Sequence, residues 1–134
     1  AKQTQDVHTP LVSQLVVYKW LTECDFEGPI NKIREIYKRK LNLLCDCVDA
    51  ELGDFLTYHR PEGGLFVWAK LNDGIDMLDF VKKASAAGVS VVPGNAMMVD
   101  GDKECSFIRM NFSTPSDEGI VKGVRILGEV ARSL

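Results

Sequence analysis

The sequence predicts an α+β fold from Phe55 onward: a small, mostly antiparallel sheet with helices packed on it, preceded by two further helices. Three observations carry this. Apolar residues recur every three or four positions between Ile30 and Val48 and again between Ile120 and Ala131, which makes a helical stripe in each. Short runs rich in β-branched and aromatic residues, at 55–59, 65–71 and 106–112, are bounded by turn residues. The order of elements is helix, helix, strand, strand, helix, strand, strand, helix, which suits a two-layer sandwich.

In chain order, Thr9 and Pro10 open the first helix, because threonine caps and proline suits a first turn. Leu11, Leu15 and Tyr18 line one side of it, and Val12 and Val16 lie beside them. Its apolar residues cover more than one side, so it is expected to bury part of itself against this domain or another. Pro29 is expected to start the second, longer helix, whose stripe is Ile30, Ile33, Tyr37, Leu41, Leu44 and Val48, with Gly53 as its stop. Lys38, Arg39 and Lys40 read as a solvated outer face. Pro61-Glu62-Gly63-Gly64 supplies the turn between the first two strands. Asp76 caps the third helix, which buries Met77, Phe80, Val81 and Ala84 and stops before Gly88. The run 89–92 reads as a strand ending at Pro93-Gly94, Asp100-Gly101-Asp102 as a turn, and 106–112 as the last strand. Thr114 and Pro115 are expected to open the final helix. This organisation separates linking helices at 1–53 from the α+β unit at 54–134.

Composition narrows the function. The chain has 134 residues, 46% of them hydrophobic and 26% charged, enough for a real core and unlike a disordered chain. A net charge of −3 is a poor basis for gripping nucleic-acid phosphates. No apolar run is long enough to span a membrane. The first six residues are polar and precede no signal-peptide core; with no initiator methionine, the chain reads as starting inside a longer protein. The four cysteines, Cys24, Cys45, Cys47 and Cys105, match no common zinc spacing, and read as reduced thiols in a cytoplasmic protein.

Few residues suggest chemistry. There is no Walker-type loop, no G-x-S-x-G elbow and no H-E-x-x-H pair. His8 lies in the polar opening segment, and His59 ends a strand beside Arg60; both read as turn or surface residues. Arg109 differs. Alternation along 106–112 puts Ile108, Met110 and Phe112 on the core face and Phe107, Arg109 and Asn111 on the other. A guanidinium held on a strand can grip a carboxylate with two parallel hydrogen bonds. On spacing alone, an arginine paired with a nearby acid fits better. Pro93-Gly94 and Gly63-Gly64 are, by themselves, only turns.

Three segments taken together resemble class I/II aminotransferases. Residues 60–68, Arg-Pro-Glu-Gly-Gly-Leu-Phe-Val-Trp, look like that family's R-P-x-G-G hairpin. Residues 88–94, Gly-Val-Ser-Val-Val-Pro-Gly, resemble its G-V-x-hydrophobic-x-P-G segment. Residues 107–113, Phe-Ile-Arg-Met-Asn-Phe-Ser, resemble its hydrophobic-R-hydrophobic-N-F-S strand. The opening 6–14, Asp-Val-His-Thr-Pro-Leu-Val-Ser-Gln, is similar to the segment that enters its small domain. The resemblance runs through nearly the whole chain, and within the family it looks most like the aminoadipate and kynurenine aminotransferase branch.

The resemblance implies the C-terminal small domain of a fold-type I enzyme dependent on pyridoxal 5'-phosphate. The parent would be a homodimer that moves an amino group from an amino acid to a 2-oxo acid. Arg109 would bind the substrate's α-carboxylate. The Schiff-base lysine and phosphate-binding residues would lie in the preceding large domain; Lys2 does not match that lysine, so no catalytic or cofactor-binding residue and no metal ligand is expected here, and the segment alone would be inactive. The same resemblance also fits the effector-sensing domain of a MocR-type transcription regulator. A free-standing ligand-binding module is a third reading. One departure stands out: the family places an aromatic residue shortly after Pro93-Gly94, where this chain has Asn95-Ala96-Met97-Met98. That bears on the substrate side chain and leaves the reaction class untouched.

Overall fold

The computed structural model describes Thr4, residues 8–99 and residues 105–134. Lys2, the start of the opening segment at Asp6-Val7, and the Asp100-Gly101-Asp102 turn lie outside the described residues. Two compact units form, Ala1–Ile36 and Tyr37–Leu134.

The first unit holds helix α1, Leu11–Glu23, and the beginning of helix α2, Glu27–Leu52. Thr9 does not cap α1 as expected. Pro10 is the N-cap and makes no side-chain cap bond; the Thr9 hydroxyl instead accepts from Gln14 Nε2 at 2.7 Å. No residue of α1 is buried, and Leu11, Val12, Leu15, Val16, Tyr18 and Leu21 are all more than half exposed. Trp20 and Phe26 meet edge to face with ring centres 5.0 Å apart. Helix α2 starts two residues before Pro29, because the Asp25 carboxylate accepts from the Gly28 N–H at 3.0 Å and satisfies one free donor of the first turn. Pro29 then falls within that first turn, where its missing N–H costs nothing.

The second unit is the predicted α+β sandwich. Strands β1 (Leu56–Tyr58), β2 (Phe66–Leu71), β3 (Val92–Pro93) and β4 (Phe107–Asn111) form one antiparallel sheet in the order β1-β2-β4-β3. Helices α3 (Met77–Ala86) and α4 (Asp117–Arg132), with the C-terminal half of α2, supply the other side of the core. Leu44, Val48 and Leu52 of α2 meet Val67, Ala69 and Leu71 of β2, Ile108 and Met110 of β4, Phe80 of α3, and Val124 and Leu127 of α4 in one buried cluster. Phe112 is buried and packs edge to face with Tyr37 at 6.4 Å between ring centres.

Local chemistry sets the boundaries. Asp76 caps α3 as expected, accepting from the Asp79 N–H at 2.7 Å. Gly88 takes φ +88° after the helix, a conformation costly for any residue with a β-carbon. The run 89–92 yields a shorter strand than expected. The Gly88 and Val89 N–H groups are spent closing α3, on Ser85 and Ala84, so only Val92 and Pro93 pair with β4. The cap of α4 is Ser116 and not Thr114: the Ser116 hydroxyl accepts from the Gly119 N–H at 3.1 Å. The basic run on α2 is also more than a solvated face. Arg39 pairs with Asp117, and Lys40 Nζ donates to the carbonyls of Ser113 (3.0 Å) and Pro115 (2.6 Å). The three bonds tie α2 to the loop that follows β4 and to the first residue of α4. Lys38 and Arg39 are exposed as expected, and Lys40 is partly buried.

Candidate functional site

The sheet has one face under helices and one face free of them within this unit. Phe66 and Trp68 of β2 stand on the free face together with Phe107, Arg109 and Asn111 of β4, because alternation places their neighbours Val67, Ala69, Ile108 and Met110 in the core. Register pairs Arg109 with Trp68 on one side and with Val92 on the other. Arg109 therefore projects from the strand flanked by β2 and β3, which is a rigid support for a binding group.

The side chain is held as well as the backbone. The guanidinium carbon lies 4.1 Å from the centre of the Phe66 ring, within reach of a cation–π contact. Arg109 Nη1 lies 3.6 Å from the Met97 sulfur. Arg109 Nε is buried and has no hydrogen-bond partner. A buried unpaired donor costs about 1–3 kcal/mol. No acid pairs with Arg109 among the ion pairs of the described residues, so the simpler sequence reading of an arginine with a neighbouring carboxylate finds no support in the geometry.

Sequence reasoning placed an aromatic ring and an amide beside Arg109, and the structure assigns those neighbours differently. Phe107 stacks on Trp68, with ring centres 5.5 Å apart and planes 13° from parallel. The Asn111 side-chain oxygen accepts from the Ser113 N–H (2.8 Å), the Ser113 hydroxyl (3.0 Å) and the Thr114 N–H (3.2 Å), and so ends the strand. The ring under the guanidinium is Phe66, and the atom at its edge belongs to Met97; neither was singled out for this role. Alternation along β2 puts Phe66 and Trp68 on one face, but the register that brings Phe66 to Arg109 is set by the pairing of distant strands.

Pro93-Gly94 has a use beyond a turn. A β-carbon on Gly94 would come within 2.6 Å of the Phe107 carbonyl oxygen and 2.7 Å of the Cys105 sulfur. Only glycine lets the chain pass that close to β4. The passage starts the 3₁₀ turn Gly94–Met97 that delivers Met97 to Arg109.

The other candidates stay apart from this place. His59 is exposed at the end of the hairpin, and His8 Nδ1 lies 2.9 Å from the Thr9 carbonyl. Cys45 is buried and Cys24 exposed, and all four cysteines are free thiols. Burial raises the Cys47 thiol above its usual range, with Asp46 and Glu51 adding to the effect. No group of metal-ligating residues occurs among the described residues. No described helix is long and apolar enough to cross a membrane.

A four-stranded antiparallel sheet under helices, preceded by two helices, is the fold that the aminotransferase resemblance implies. A scan of protein-family models finds no match to the chain. Individual relatives do match. The chain is 34% identical over all of its 134 residues to a 2-aminoadipate transaminase of Thermus thermophilus, and covers 33% of that protein. It is 29% identical, with TM-score 0.89, to a crystal structure of Pyrococcus horikoshii kynurenine aminotransferase solved in complex with PMP, KYN as substrates and KYA as products, covering 98% of this chain and 32% of that one. It is also 26% identical over 133 residues to an HTH-type transcriptional regulator, YdfD, of Bacillus subtilis, covering 27% of it. The chain spans about a third of the length of the curated relatives it matches. It belongs to the fold-type I aminotransferases of the aminoadipate/kynurenine aminotransferase-like kind, as a segment corresponding to their C-terminal region.

The described residues do not fit the anchoring of pyridoxal phosphate. Anchoring needs a lysine enclosed beside the reacting centre. Lys40 is the only described lysine that is not exposed, and its ammonium is spent on the Ser113 and Pro115 carbonyls. What the chain does offer is a held guanidinium, suited to a carboxylate.

Proposed function

We propose that this chain is the substrate-holding C-terminal portion of an aminotransferase that moves an amino group between an amino acid and a 2-oxo acid. The observation that carries the reading is the placement of Arg109: on an inner strand, opposite the core, with its guanidinium lying on Phe66 and no acid paired with it among the described residues. Arg109 binds the α-carboxylate of the substrate. A planar fork of donors fixes both the position and the rotation of a carboxylate, where an ammonium would fix position alone. The rotation matters because it decides which bond at the α-carbon is presented for reaction.

Pyridoxal phosphate, bound by the rest of the enzyme, supplies the electron sink for the transfer. This chain contributes the carboxylate grip and an aromatic wall, Phe66, Trp68 and Phe107, that excludes water around it. The segment by itself is inactive in this reading, and the complete enzyme is a cytoplasmic homodimer with linking helices at 1–53 and the α+β unit at 54–134. The similarity to the Bacillus subtilis regulator favours a second reading, in which the same carboxylate site senses an amino acid effector.

The test is transaminase activity with a panel of amino acids and 2-oxo acids. The proposal expects activity from the intact protein and none from residues 1–134. Reduction of residues 1–134 with borohydride in the presence of pyridoxal phosphate should give no single stoichiometric adduct by mass spectrometry. One specific lysine adduct would overturn the assignment of this segment to the part that does not anchor the cofactor. An intact protein that binds amino acids and DNA without turnover would favour the regulator.

A further inference from the structure

We propose that Met97 is a positioning residue for Arg109: a weak, displaceable acceptor that keeps the guanidinium aimed and sets how strongly the substrate carboxylate is held. The inference rests on the reading of Arg109 as the carboxylate site.

The flat face of the guanidinium is covered by Phe66, at 4.1 Å from the guanidinium carbon to the ring centre. The Nε corner is buried. A carboxylate that binds with two hydrogen bonds needs two adjacent N–H groups. With Nε enclosed, the remaining edge is the one formed by Nη1 and Nη2. The Met97 sulfur sits at that edge, 3.6 Å from Nη1.

A thioether is a poor acceptor. It limits the wandering of a long side chain that otherwise has about 2 kcal/mol of rotamer freedom, yet offers little resistance to a carboxylate, whose charge-assisted bonds are roughly twice as strong as neutral ones. Methionine also has three rotatable bonds and can retreat without disturbing its neighbours. Met97 is half exposed at the end of the 3₁₀ turn, with room to do so. The backbone behind it is fixed, because Gly94 is wedged against Phe107. A mobile tip on a fixed base is the arrangement a displaceable contact requires.

It follows that a stronger acceptor at position 97 competes with the substrate. The experiment compares Met97→Leu, Met97→Gln and Met97→Glu in the intact enzyme, with KM and kcat measured for an amino acid donor and for the corresponding amine that lacks the carboxylate. Met97→Leu keeps the apolar bulk but removes the acceptor, so it should raise the amino acid KM about two- to threefold with an unchanged unfolding midpoint. Met97→Gln should raise the amino acid KM several-fold, and Met97→Glu by about tenfold or more, with kcat changed little, because an interaction lost equally from bound substrate and transition state appears in KM. The amine should respond to none of these changes. Parent-like amino acid KM values in both Met97→Gln and Met97→Glu overturn the proposal, as does a fall in kcat at constant KM. Arg109→Ala, measured alongside, separates the two claims: if it leaves the amino acid KM unchanged, the Arg109 reading itself fails. If it raises KM while the Met97 variants do not, only the role of Met97 fails.

Discussion

Gly94 and Phe107 approach so closely that a β-carbon at position 94 would lie 2.6 Å from the Phe107 carbonyl oxygen. Two structures depend on that approach: the pairing of β3 with β4, and the turn that carries Met97 to Arg109. Gly94→Ala should therefore lower stability by about 1–3 kcal/mol, the usual cost of forcing atoms into a packed place. Denaturant unfolding of the variant measures this, and an unchanged midpoint would mean that the backbone yields more easily than the contact implies.

The core claim is tested at Phe112, which is 1% exposed and sits against Tyr37. Phe112→Ala should cost about 3–5 kcal/mol. Phe66 makes the contrasting case. It is 39% exposed on the other face, so Phe66→Leu should alter stability by no more than about 1 kcal/mol while raising KM for the amino acid in the intact enzyme.

Two residues compete for the start of α4, and the structure chooses Ser116. Ser116→Ala should lose about 1 kcal/mol, the ordinary value of a helix N-cap. Thr114→Ala should lose less than about 0.5 kcal/mol, since its side chain does not cap the helix. Thermal or denaturant midpoints of the pair decide it.

Tyr58 gives a pH dependence with a definite sign. Its single hydroxyl proton is donated to Asp49 Oδ1 at 2.7 Å and shared with the Cys45 carbonyl at 3.3 Å. Burial, and then the hydrogen bond to Asp49, hold its pKa well above the ordinary tyrosine range. The folded value is raised above the unfolded one. The resulting stability is complete below about pH 10, where unfolded tyrosine ionises, and is lost as pH climbs beyond that. Ultraviolet titration should show one of the three tyrosines ionising late. Tyr58→Phe should remove that late fraction and flatten the loss of stability at alkaline pH. A titration in which all three tyrosines ionise together in the ordinary range would contradict the contact.

Much of the fold was legible because its signals are local. The stripe Leu41, Leu44, Val48 on α2, the cap at Asp76 and the glycine after α3 each declare themselves within a few residues. The alternation around Arg109 correctly assigned the core face to Ile108, Met110 and Phe112. The misses came where two local rules competed or where the partner was distant. Thr114 and Ser116 both look like caps, and only the path of the loop distinguishes them. The run 89–92 looked like a full strand because its sequence does not show that the Val89 N–H, like that of Gly88, closes the preceding helix. The partners of Arg39 and Lys40 were not legible because Asp117, Ser113 and Pro115 lie more than seventy residues away. At the site, the strand alone placed Arg109 on the face opposite the core and the resemblance supplied its expected role, whereas the contacts of Phe66 and Met97 with it were not legible, since each reaches Arg109 through tertiary pairing.

The central claim is that Arg109 grips the substrate's α-carboxylate. The most direct measurement is kcat/KM of the intact enzyme and of Arg109→Ala, each with an amino acid and with the matching amine that has no carboxylate. Losing one partner of a desolvated ion pair costs about 3–5 kcal/mol, so kcat/KM for the amino acid should fall roughly 10²- to 10⁴-fold. The value for the amine should stay near that of the parent, and cofactor binding should be unaffected. Equal losses for the two substrates, or no loss for either, would contradict the account.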